Sequence, residues 1–136
     1  MFMSTTFSNN SFIFHEQIDT QSISDLYGDD FPYIEEVFTT VLGEYEMLAA
    51  NILSSYGRRD KAALKSAVHK IKPIFGFAGL TGTQHQFQLF ENLCQDTTSF
   101  ESLDEPFKSL QDSLLRSKLI ITEEKKKLEV FNRDRS

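Results

Sequence analysis

From Phe31 to Tyr56 the apolar residues fall at Ile34, Phe38, Val41, Tyr45, Leu48, Ile52 and Tyr56, steps of three and four that trace one stripe along a helix. Glu35, Glu36, Glu44 and Glu46 lie mostly off that stripe, and Gly57 with Arg58 and Arg59 marks its expected end. Asp60 is placed to cap a second helix, whose stripe is Leu64, Val68, Ile71, Phe75 and Ala78, before Gly79 and Gly82 punctuate a turn. A third helix is expected from about Thr83 to Gln95, burying Phe87, Phe90 and Leu93 or Cys94. After the polar stretch 96–99, Leu103, Phe107, Leu110, Leu114 and Ile121 outline a last long helix. It should continue through the charged run Glu123–Lys127, read as a solvated face, and fray from Asn132 to Ser136. Asp19 to Tyr27 reads as a short additional helix, closed by Gly28.

No period-two alternation with hairpin turns and no repeat of twenty to fifty residues interrupts this pattern. The expected fold is all-α: an antiparallel four-helix bundle with an additional short N-terminal helix. Residues 1–17 form an irregular lead-in, 18–131 the bundle domain, and 132–136 a frayed tail.

Composition narrows the function. The 136 residues suit one domain, and with 40% apolar residues and 13 Phe they can fill a core without Trp. Fourteen basic against 20 acidic side chains leave a net charge of −6, which disfavours nucleic acid as a partner. Cys94 is the only cysteine, so neither an internal disulfide nor a zinc cluster is expected, and it reads as a small core residue. Met1 to Asn10 contain no Lys or Arg and no long apolar run, and no segment approaches a membrane span. A cytoplasmic protein without membrane contact is expected.

The segment 67–80, AVHKIKPIFGFAGL, carries the candidate chemistry. Counted from His69 at three, four and seven residues, one helix face holds Lys65, Lys72, Pro73 and Gly76, while Val68, Ile71 and Phe75 point to the core. His69 should therefore stand at the surface. An accessible, partly neutral imidazole can attack phosphorus, a nearby cation can steady the anionic phosphoryl group, and small neighbours admit a partner. Lys72 supplies the cation, Lys65 adds charge on the other side, and Gly76 supplies clearance. Pro73 denies the His69 carbonyl its N–H partner at a general cost of about 3 kcal/mol, so a kink beside His69 is expected. His15 and His85 have no matching surroundings and read as incidental.

The run His69-Lys70-Ile71-Lys72-Pro73, followed by Gly79, resembles the signature of histidine phosphotransfer (HPt) domains. That pattern has His, an aliphatic residue two later, Lys three later, usually Gly four later, and Gly ten later. Ile71, Lys72 and Gly79 match it, and Pro73 replaces the usual Gly. The resemblance extends loosely from Asp19 to Leu119, with Phe90-Glu91 standing where Leu-Glu is common. It implies a phosphocarrier, not an enzyme, with His69 as phosphoacceptor and Lys72 as phosphate-stabilising cation. It also implies a polar residue of the next helix near the imidazole, which ungapped counting gives as Glu91, with Gln88 and Gln95 one turn either way. The implied partners are receiver domains of hybrid sensor histidine kinases and response regulators. No cofactor is implied for this chain, since Mg²⁺ belongs to the receiver. A helical adaptor that binds partners without phosphotransfer is the alternative. A helical enzyme using His69 as general base would need a paired acid or metal motif, and the sequence offers neither.

Overall fold

Three aspartates open three helices by one device. The carboxylates of Asp19, Asp30 and Asp60 accept the backbone N–H groups of Ser22, Tyr33 and Ala63, each three residues on, at 3.0–3.1 Å. A computed structural model describes residues 12–136. The part of the lead-in before Phe12 lies outside the described residues. The helices are α1 (Thr20–Tyr27), α2 (Phe31–Gly57), α3 (Lys61–Phe77), α4 (Thr81–Asp96) and α5 (Asp104–Arg135), with a 3-10 turn at Phe100–Leu103. There is no strand among the described residues.

α2 packs against α3 and α5, and α4 packs against the same two, so α2 to α5 close a four-membered ring of consecutive antiparallel neighbours. The stripes meet inside it: Phe38, Tyr45, Ile52, Leu64, Val68, Ile71, Phe75, Phe87, Phe107 and Leu114 are all buried. Tyr45, inside this core, donates its hydroxyl to the Leu114 carbonyl at 2.6 Å and so ties α2 to α5. No helix among the described residues is long and apolar enough to cross a membrane.

α2 stops where the sequence indicated, at Gly57 with Arg58 and Arg59. Gly57 is the last helical residue, and the left-handed residue that follows is Arg59, at φ 57°. Asp60 N–H reaches the Ser55 carbonyl and Arg59 N–H the Tyr56 carbonyl, the paired bonds of a Schellman close. A non-glycine residue is tolerated there because its side chain is engaged. The Arg59 guanidinium bonds Asp104 at 3.0 Å and lies 4.7 Å from the Phe100 ring centroid.

Two expectations about α5 are corrected. Its helix does not fray at Asn132 but runs to Arg135, because the Asn132 amide donates to the Phe31 carbonyl (3.0 Å) and to Glu35 (2.8 Å). Nor is the charged run wholly solvated. Glu124 is 2% exposed, accepts the His15 backbone N–H at 2.8 Å and pairs with Lys127 at 2.9 Å. A buried carboxylate is stable only with such partners. The lead-in bound by Glu124 also sets Phe12 against Phe14, Phe31 and Phe131, and Phe14 against Phe38.

Candidate functional site

Because Val68 and Ile71 are drawn into the core, the intervening turn of α3 places His69 outward with its side chain 67% exposed. The imidazole is not free to spin. Its Nδ1 lies 3.1 Å from Oε2 and 3.3 Å from Oε1 of Glu91 on α4. Glu91 is only 14% exposed, and its Oε1 is 2.7 Å from Nζ of Lys72, itself 13% exposed. Lys72 also donates to Oε1 of Gln88 one turn earlier on α4, and Gln88 passes its own amide N–H to Asn92 at 2.9 Å.

Burial alone would raise the Glu91 carboxyl. Hydrogen bonds and charge from Lys72, with those from His69, outweigh it and hold the group below its ordinary range. Glu91 is therefore ionised near neutral pH and can only accept hydrogen bonds. An N–H on His69 Nδ1 satisfies it, and in the neutral ring this leaves Nε2 with the lone pair.

The row on α4 continues in both directions. Gln95 accepts from Lys65 Nζ at 2.5 Å, and Gln84 donates to the Lys72 carbonyl at 3.2 Å. Gln84, Gln88, Glu91 and Gln95, spaced four, three and four, thus line the whole polar face of α3. Gln84 was not singled out from the sequence, although this spacing from Gln88 was available to find it.

Of the two glycines, Gly79 closes the turn as expected, while the space at Gly76 is already filled. A Cβ on Gly76 would stand 2.9 Å from Nε2 of Gln84, so the space there holds that side chain. Gly79 is buried at φ 73° and ends α3 in a Schellman close, with Leu80 N–H on the Phe75 carbonyl. A Cβ there would meet Ile23 at 2.8 Å and Ile18 at 2.9 Å. Gly79 thus ends the helix where the sequence indicated. It seats the lead-in and α1 on the end of α3, and its carbonyl accepts the Asp19 N–H at 2.8 Å. Pro73 lies within a helix that is continuous from Lys61 to Phe77 and is exposed beside Gly76, Phe77 and Leu26.

On its other side His69 borders a groove lined by Lys61, Lys65, Ser66, Glu91, Cys94 and Gln95. Burial pushes the Cys94 thiol to about 11, so it is no nucleophile near neutral pH. Among the described residues no cluster of three or more His, Cys, Asp or Glu side chains could hold a metal ion.

No family model and no curated protein matches this chain. Among solved structures, it is similar to the crystal structure of the HPt domain from a Shewanella Hpt sensor hybrid histidine kinase. The two superpose with a TM-score of 0.67 at 19% identity, over 79% of this chain and 92% of that one. The fold is that of an HPt domain. The chain's descent through the ring of helices α2 to α5 is thus that of an HPt bundle, and His69 stands on the outer face of α3 within it.

Proposed function

We propose that this protein is a histidine phosphotransfer carrier, taking a phosphoryl group from one receiver-domain aspartate onto His69 and delivering it to another. The observation that carries the reading is an exposed imidazole whose Nδ1 is held by a half-buried, ionised carboxylate. The HPt fold supports it. The receivers in question are those of hybrid sensor histidine kinases and of response regulators.

In the transfer, the Nε2 lone pair of neutral His69 attacks phosphorus in line with the acyl phosphate. The N–P bond forms as the P–O bond breaks, and the electron pair leaves on the receiver's carboxylate. No proton needs to be removed from Nε2. The Nδ1 proton stays in place, and the imidazolium charge created on the ring is met by Glu91 at 3.1 Å. When the phosphoryl group departs, the ring leaves as a neutral imidazole, which makes the reaction reversible. The receiver brings Mg²⁺ with its acidic pocket, and this chain contributes the nucleophile and the groups that orient it.

The test is transfer of labelled phosphate from a panel of phosphorylated receiver domains to the wild type and to His69→Gln. Acid-labile, base-stable label on the wild type alone is expected. A folded wild type that accepts label from no receiver would instead favour an adaptor that binds without chemistry.

A further inference from the structure

Two lysines share the His69 face of α3, and the structure treats them differently. Lys72, three residues after the histidine, is 13% exposed and is occupied by the Glu91 carboxylate at 2.7 Å and by Gln88. Moving its ammonium to a new anion would break a shielded ion pair and leave Glu91 with one cationic partner fewer. Lys65, one turn before the histidine, is held among the described residues only by the neutral amide oxygen of Gln95. It lines the same open groove as His69.

The two contacts are successive rungs between the same two helices. Lys65 and His69 are four residues apart on α3, and their partners Gln95 and Glu91 are four apart on α4. Four residues rise about 6 Å along a helix, which a lysine side chain spans. Exchange of one neutral acceptor for a dianionic phosphoryl oxygen strengthens the bond that Lys65 makes. Lys61 lies a further turn away, with its ammonium on the Thr97 carbonyl at 2.6 Å.

Resting on the phosphocarrier reading, we propose that Lys65 is the cation that meets the phosphoryl group on His69, while Lys72 acts through Glu91 to position the imidazole. Lys65 leaves Gln95 when Nε2 becomes phosphorylated and returns when the group is passed on. The phosphoryl oxygens carry most charge in the bound state and less in the loose transition state of departure. A cation at Lys65 therefore prolongs the life of the phosphohistidine, and Lys72 leaves that lifetime nearly unchanged.

The experiment phosphorylates the full chain with phosphoramidate, or with a phosphorylated receiver domain, removes the donor and follows loss of phosphohistidine by ³¹P NMR. Lys65→Gln is expected to shorten the half-life roughly three- to ten-fold, with Lys65→Arg restoring it. Lys72→Gln is expected to keep the half-life within about two-fold while moving the ring ¹⁵N shifts of unphosphorylated His69, because Glu91 loses its cation. A shortened life in Lys72→Gln with none in Lys65→Gln would overturn the assignment, as would no change in either. The Lys65→Gln and Lys65→Arg pair decides the matter alone should Lys72→Gln not fold. A wild type that takes no phosphoryl group from either donor would remove the carrier reading itself, and this assignment with it.

Discussion

Two shielded glutamates sit on different sides of the bundle and serve it differently. Glu91 is 14% exposed and binds two side chains, Lys72 and the outward-facing His69. Glu124 is 2% exposed and binds a backbone N–H of the lead-in together with Lys127, which in turn donates to the Ile13 carbonyl at 3.1 Å. The difference lies in what the carboxylate holds. A side chain with one edge in solvent can still react, and holding its other edge sets which atom does so. A backbone amide fixed from inside can only fasten the chain. Two lysine-paired carboxylates thus give a positioned nucleophile on one side and a clasp on the other.

Gly79 seats the lead-in and α1 on the end of α3, and the largest effect is expected there. Gly79→Ala places a Cβ within 2.8–2.9 Å of Ile23 and Ile18 and forces a left-handed backbone on an L side chain. A loss of about 3 kcal/mol in unfolding free energy is expected, measured by urea denaturation. Glu124→Ala should follow at about 2 kcal/mol, because it leaves the His15 N–H without its acceptor. Amide exchange at residues 12–17 should accelerate in that variant while exchange in the centre of α3 stays slow. Equal acceleration in both would erase the distinction between clasp and site.

Glu91→Gln is expected to change stability by about 1 kcal/mol or less, since the amide oxygen still accepts one hydrogen bond. Its larger consequence should be a shift in the His69 ring tautomer. The smallest effect concerns pH. The folded Glu91 carboxyl lies below its ordinary value of 4.5, so its contribution to stability is complete above that pH and is lost as pH falls through the lower folded value. The stability difference between wild type and Glu91→Gln should therefore shrink as pH falls below about 4.5.

Much of this was legible in the chain because helices advertise themselves by spacing. The stripe Val68, Ile71, Phe75 alone implied that His69 faces outward, while Glu91 opposite it came from the resemblance to HPt domains, located by ungapped counting. What spacing cannot report is the depth of a polar side chain. Glu124 looked like one residue of a solvated run, yet it is buried because the lead-in, remote in sequence, crosses over it. Gly76 looked like room for a partner, and the room holds Gln84 from the neighbouring helix. The stop at Gly57 with Arg58 and Arg59 was legible, but not that Arg59 takes the left-handed position, where Asp104 and Phe100 hold its side chain. In each case the deciding contact comes from an element distant in sequence.

The central claim is that Glu91 keeps the proton on Nδ1 and so leaves Nε2 to accept the phosphoryl group. A long-range ¹H–¹⁵N correlation spectrum of the His69 ring, recorded before and after phosphorylation, tests it most directly. The Nδ1–H tautomer in the free protein and a phosphorus coupling at Nε2 in the phosphorylated one are predicted. A free ring protonated at Nε2, or a phosphoryl group on Nδ1, would contradict the account.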